Sequence, residues 1–212
     1  RADVNYVVGQ IESVMTSLPH GVTIVVSSQM PVGSIMRLEG IAAGLCPELE
    51  LSFACSPENL RLGKAFEVFL NPDRIVVGAR TERDQIRLKA LISPLTDRIE
   101  WMSVESAEMT KHAINAFLAT SVTFANELAT VCEKVGADAK QVERGLKTDS
   151  RIGTRAYLSP GRAFAGGTLA RDVEYLTQTS GKNSLNTPLL ASIRPSNEEH
   201  KNWARKKLEE NF

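Results

Sequence analysis

The chain has 212 residues, and its 25 Lys+Arg balance 25 Asp+Glu, so the formal net charge is zero. That balance argues against a nucleic-acid binder, which shows a basic surplus, and no run approaches the roughly 18 apolar residues of a membrane span. With 42% hydrophobic and 24% charged residues, the composition is that of a globular protein with a real buried core.

Asp3 to Leu18 places Val4, Val7, Val8, Ile11 and Val14 on one helical face, and Pro19-His20-Gly21 stops it. Val22 to Val26 is a β-branched run that predicts a buried strand. After a turn from Ser27 to Gly33, the residues Ile35, Leu38, Ile41 and Leu45 restart a helix. Leu49 to Ala54 predicts a second strand, Gly63 to Leu70 a short helix, and Arg74 to Gly78 a third strand. Glu82 to Ile92 predicts a helix and Ile99 to Val104 a last strand. Strands alternating with helices predict an α/β layer built on a largely parallel sheet.

The pattern then changes. Ala107 to Val135 has no proline or glycine, and Ile114, Phe117, Leu118, Val122, Ala125, Leu128 and Val131 keep helical spacing. That gives one helix of about eight turns. Such a helix is either an internal core element or a seam between two copies of the chain. Asp138 to Leu146 predicts another helix, and a Gly/Pro-rich loop from Gly153 to Gly167 leads into a helix from about Leu169. Pro188 and Pro195 punctuate the tail, and Asn197 to Leu208 predicts a charged helix. A boundary near Val104 thus separates an α/β part, residues 1–104, from an all-helical part, residues 105–212.

The three cysteines, Cys46, Cys55 and Cys132, have no metal-type spacing, and the histidines His20, His112 and His200 are scattered. They read as buried thiols and surface imidazoles, with no metal site. An odd thiol count without a disulfide framework fits a cytoplasmic protein. The chain starts at Arg1 and shows no signal-peptide layout.

Three segments carry possible chemistry. Lys111 and Asn115 lie one helical turn apart, so their ammonium and amide can hold a developing alkoxide or carbonyl oxygen; otherwise they are a solvated lysine and a polar neighbour. Glu58 follows a strand, where ligands sit in open α/β sheets; it is either a catalytic carboxylate or a charge at a helix N-terminus. In the loop Pro160 to Asp172, Gly166 and Gly167 allow close backbone approach, Thr168 can N-cap the next helix, and Asp172 follows one turn later, near the Thr168 side chain.

Together these segments resemble the UDP-glucose/GDP-mannose 6-dehydrogenases. Ser28-Gln-Met-Pro-Val-Gly33 is similar to that family's Ser-Thr-Val-Pro-x-Gly turn. Ser56-Pro-Glu-Asn-Leu-Arg-Leu-Gly63 and Asn71-Pro-Asp-Arg-Ile-Val-Val-Gly78 resemble its Asn-Pro-Glu-Phe-Leu-Arg-Glu-Gly and Pro-Asp-Arg-x-Val-x-Gly blocks. Ala107-Glu-Met-Thr-Lys111 through Asn126-Glu127 resembles the start of its central helix, and Gly161 to Asp172 resembles its catalytic Gly-Gly-Ser-Cys-Phe-Pro-Lys-Asp loop.

The resemblance implies a partial Rossmann-like parallel sheet followed by a helical central domain, NAD as cofactor, and a nucleotide-sugar substrate. It also implies a homodimer through the central helix and a role in making precursors for surface polysaccharide. The family oxidises the C6 alcohol to a carboxylate in two hydride steps, a cysteine trapping the aldehyde as a precursor of a thioester. Lys111 and Asn115 match its oxyanion-stabilising pair, Asp172 its aspartate near the reacting groups, and Glu58 the first glutamate of the Pro-Glu block.

Four positions depart: Thr168 stands where the cysteine would be, Leu62 where the second glutamate would be, Gln29 for the turn threonine and Arg171 for the loop lysine. The resemblance implies that Gln29 and Arg171 are cofactor-binding residues. A threonine hydroxyl is a poor nucleophile without an adjacent base, so the resemblance with its departures implies an NAD-dependent oxidation that stops after one hydride. The alternative is a non-catalytic dimeric homologue, a binding or scaffold protein. The family's Gly-x-Gly-x-x-Gly turn does not occur in these residues, so the chain is expected to be the later part of a cofactor domain and a central domain from a longer protein.

Overall fold

The computed structural model describes residues 3–58, 60 and 63–211. They form two compact units, residues 1–111 and 112–212.

The first unit is a four-stranded sheet: β1 (Thr23–Val26), β2 (Ser52–Cys55), β3 (Ile75–Ala79) and β4 (Ile99–Met102), in that spatial order. Its helices are α1 (Val4–Met15), α2 (Ser34–Leu45), α3 (Ala65–Leu70) and α4 (Glu82–Ile92). α5 (Val104–Val135) begins here and continues into the second unit. The pairs β1–β2 and β3–β4 are parallel, whereas β2–β3 is antiparallel. The sheet is therefore largely parallel, with one reversed pair. α3 explains why the alternating pattern did not announce the reversal. It is six residues long and buries none of them, so it is not the crossover helix that joins parallel neighbours.

The strands' two-residue period sorts the core. Phe53, Cys55 and Val76 point to one face, with Val8, Met15, Ile35, Leu38, Val104 and Ala107. Ala54, Val77 and Ala79 point to the other, with Leu88 and Ile92 of α4. Gly78 belongs to the first face. A Cβ built there would lie 2.7 Å from Ala107 Cβ, 2.7 Å from Val104 Cα and 2.9 Å from the Ser103 carbonyl oxygen. The glycine of the Pro-Asp-Arg block thus lets the start of α5 lie against β3.

Asp84 fastens α4 to two strands. Its carboxylate, 1% exposed, accepts hydroxyls from Thr81 at 2.6 Å, Ser52 at 2.7 Å and Thr23 at 3.0 Å. Burial alone would raise the Asp84 pKa, but these hydroxyls and nearby Arg87 outweigh it and hold the carboxyl below its ordinary value. A lowered folded-state pKa stabilises the fold above the ordinary carboxylate range, and that stability is lost as pH falls through the folded value. Asp84→Asn is accordingly expected to cost about 1.5–3 kcal/mol at pH 7. In urea titrations from pH 7 to pH 3 the gap to the parent should narrow; a constant gap would contradict a charged Asp84.

The second unit holds the rest of α5, α6 (Ala139–Thr148), α7 (Thr168–Lys182), α8 (Pro188–Lys201) and α9 (Trp203–Asn211). Ala116 and Ala119 of α5, Val173 of α7 and Ile193 of α8 form its core, with Phe164, Leu169, Leu176 and Leu190 around them. The tail differs from the expectation of one helix from Asn197. Pro195 sits inside α8, and the helix breaks at Asn202 instead. Pro195 has no N–H to donate to the Ala191 carbonyl, but Ile193 and Asn197 on either side are 1% and 2% exposed, so packing carries the helix past it.

Asn197 also ties down the preceding loop, accepting from Phe164 N and donating to Phe164 O, both at 2.9 Å. Asn126 of α5 holds the same loop by accepting from Gly161 N at 2.8 Å.

Candidate functional site

In the first unit, the carboxyl ends of parallel β1 and β2 open onto a small cleft whose walls include Ser28, Gln29, Met30, Cys55, Pro57, Glu108 and Lys111. Gln29 comes from the β1–α2 turn and Lys111 from α5. Glu108, one turn before Lys111, is 4% exposed. Its two oxygens accept from Gly33 N at 2.7 Å and Ile35 N at 2.9 Å, the open amides at the N-terminus of α2. Burial pushes its pKa up, partly offset by those two amides.

Cys55 shares the cleft, and burial, with the Glu108 charge second, raises its thiol to about 12. It stays protonated at neutral pH and is no substitute nucleophile. Cys46 and Cys132 are buried too, as expected.

Glu58 follows a strand, as expected, but does not stand at a helix N-terminus. It is exposed on the loop after β2, ahead of α3 rather than on a helix, and its Oε2 accepts from Leu60 N at 2.5 Å. Leu62 lies outside the described residues.

In the second unit a polar cluster joins α5 to α7. Asn115 Nδ2 donates to Asp172 Oδ2 at 2.5 Å, and His112 Nδ1 lies 3.0 Å from Asp172 Oδ1. Asp172 is 1% exposed, His112 4% and Asn115 6%. Arg171, about half exposed, places its Nε 3.9 Å from Asp172 Oδ1. The His112 ring stacks on Tyr175, with centroids 4.1 Å apart.

Two expectations are corrected here. Thr168 is not the N-cap: Gly167 is, and Thr168 is the exposed first residue of α7 without a capping bond. The Asp172 carboxylate turns to the buried donors of α5, because charge-assisted bonds away from water outweigh a contact with an exposed hydroxyl. His112 is not a surface imidazole but a buried partner of Asp172.

Sequence reading missed Glu108 and His112. The signal was present: Glu108, Lys111, His112 and Asn115 form a polar stripe at helical spacing. No group of three or more metal-type side chains occurs among the described residues, and no helix there is long and apolar enough to cross a membrane.

A largely parallel sheet with a cleft at its strand ends, followed by a helical unit built on one long helix, defines an α/β-plus-helical architecture. Residues 1–96 match the NAD binding domain of the UDP-glucose/GDP-mannose dehydrogenase family, and residues 105–199 match its central domain. The chain belongs to that family.

It is 35% identical over 203 residues to a UDP-glucose 6-dehydrogenase of Rickettsia bellii, covering 93% of this chain and 46% of that one. It is 37% identical over 171 residues to the UDP-glucose 6-dehydrogenase YwqF of Bacillus subtilis, covering 80% and 39%. Among solved structures, it superposes on a UDP-glucose dehydrogenase from the hyperthermophilic archaeon Pyrobaculum islandicum with a TM-score of 0.91 at 29% identity, covering 99% of this chain and 49% of that one. The chain spans less than half the length of the curated relatives it matches.

NAD is thus the cofactor of the domain to which residues 1–96 correspond. The cleft lies at the carboxyl ends of parallel strands, where ligands sit in open α/β sheets, and Gln29 and Lys111 line it. No glycine-rich pyrophosphate turn occurs in these residues, so pyrophosphate binding is not assigned to them.

Proposed function

We propose that this chain provides the oxygen-binding machinery of an NAD-dependent dehydrogenase acting on a CH–OH group of a nucleotide sugar. The observation that carries the reading is the buried Asn115–Asp172 pair on the helix that also bears Lys111, in a chain of this family. Asp172 accepts from Asn115 Nδ2, which sets the amide with its nitrogen toward the carboxyl group. The second N–H of Nδ2 is then the donor for the substrate oxygen, and Lys111 matches the other oxygen-binding position of the family by resemblance. Bound NAD supplies the hydride acceptor. The alcohol carbon would give up a hydride to the bound cofactor and the hydroxyl would give its proton to solvent water, leaving a carbonyl. Thr168 at the cysteine position offers no thiolate to capture that carbonyl, so oxidation ends after one hydride.

In a protein that carries this chain together with a glycine-rich dinucleotide turn, incubation with NAD and UDP-glucose or GDP-mannose should yield NADH, read by absorbance. Absence of hydride transfer with every UDP- and GDP-sugar tried would favour the scaffold alternative.

The protein is also proposed to act as a homodimer through α5. Phe117, Phe124 and Val131 recur every seven residues and are 69%, 48% and 56% exposed, an apolar stripe suited to a helix partner. Light scattering at micromolar concentration should give twice the monomer mass, and Phe124→Glu should shift it toward monomer. A parent protein that is already monomeric would contradict the dimer.

A further inference from the structure

We propose that His112 is a positioning residue: it clamps the Asp172 carboxylate and, through it, orients the Asn115 amide for the substrate oxygen. The inference rests on the dehydrogenase reading for its catalytic consequence, but the clamp itself is a property of the resting protein.

The arrangement follows from helical spacing. His112 and Asn115 are three residues apart on α5, so they share a face. Asp172 and Tyr175 are likewise three apart on α7. The two faces meet as a two-by-two set: His112 and Asn115 each reach one oxygen of Asp172, at 3.0 and 2.5 Å, while the His112 ring stacks on Tyr175. A buried carboxylate held by one donor can swing about its terminal torsion, which is broad for Asp. Held by two donors on different oxygens, it cannot turn without breaking a charge-assisted bond. The stack fixes the imidazole plane, the imidazole fixes the carboxylate, and the carboxylate fixes which end of the Asn115 amide faces it. Because Asp172 accepts, His112 carries its proton on Nδ1. Arg171 Nε lies 3.9 Å from Asp172 Oδ1 and adds positive charge beside the carboxylate.

Two variants separate the clamp from simple packing. His112→Phe keeps an aromatic ring on Tyr175 and removes the donor. His112→Asn keeps a donor near the Nδ1 position and removes the stack. With the full chain, NAD and UDP-glucose, His112→Phe should lower kcat roughly ten- to a hundredfold with KM within about twofold, while His112→Asn should recover most of kcat. Thermal unfolding of each variant gives the folded fraction by which kcat is corrected.

A second readout needs no activity. Nitrogen-15 NMR of the resting protein should show the His112 Nδ1 proton in a hydrogen bond, and Asp172→Ala should abolish it. Parent-like kcat in folded His112→Phe, or an Nδ1 without a proton, would overturn the proposal. A bonded Nδ1 proton in a protein that transfers no hydride would support the clamp while refuting the dehydrogenase reading.

Discussion

Asn115→Ala is expected to lower kcat for oxidation of a nucleotide sugar about 10²- to 10³-fold, with a much smaller change in KM. That is the typical cost of removing one preorganised donor from a developing oxyanion. The donor is preorganised here because Asp172 accepts from Asn115 Nδ2 at 2.5 Å in a cluster nearly closed to water. Such a bond costs little further reorganisation when charge builds on the substrate oxygen. The same truncation leaves Asp172 short of a donor, so a stability loss of about 1–3 kcal/mol should accompany it. Denaturant titration of the variant separates the two effects, since kcat can be corrected for the folded fraction. Lys111→Ala should cost activity on a similar scale, and denaturant titration gives its folded fraction in the same way. If both variants keep kcat within twofold of the parent, neither side chain holds the reacting oxygen.

Gly78→Ala should destabilise the first unit by about 3 kcal/mol, at the upper end of what one added methyl does in a packed core. The reason is what the methyl would meet. Ala107 Cβ and Val104 Cα are 2.7 Å away and the Ser103 carbonyl oxygen 2.9 Å, so relief requires moving the backbone at the start of α5. The urea midpoint should fall with little change in slope. Gly40→Ala is the matching control: its new methyl has nothing within 4 Å, and it sits inside α2. There alanine's helix propensity should stabilise by about 0.5–1 kcal/mol. A Gly78→Ala protein as stable as the parent would mean that α5 does not lie against β3 as described.

The α/β half was legible because its signals are local. The β-branched run ending at Val26 and the Ile75-Val76-Val77 run became β1 and β3, and α4 spans Glu82–Ile92 as its periodicity predicts, with Thr81 as its cap. The long helix was legible for the same reason. It starts earlier than its apolar spacing suggested, at Val104, because Ser103 accepts from Ser106 N.

The misses depend on contacts between segments distant in sequence. The reversal between β2 and β3 is set by pairing, not by strand composition. Pro195 continues a helix because of what Ile193 and Asn197 bury against. His112 reads as surface until Asp172, sixty residues away, is placed beside it. Glu108 reads as a helix-surface charge until the amides of Gly33 and Ile35 arrive. The motif resemblance located the loop at Thr168 and Asp172, but only the fold separates them: Thr168 is exposed at the head of α7, and Asp172 is buried one turn later.

The central claim is an oxidation that stops after one hydride, and it is tested by the amount of NADH formed per nucleotide sugar consumed, measured at completion with the product identified by mass spectrometry. A carbonyl product with one NADH per sugar is the predicted result. Two NADH per sugar with a uronic acid as product would show that a second oxidation proceeds without a cysteine at residue 168, and would contradict it.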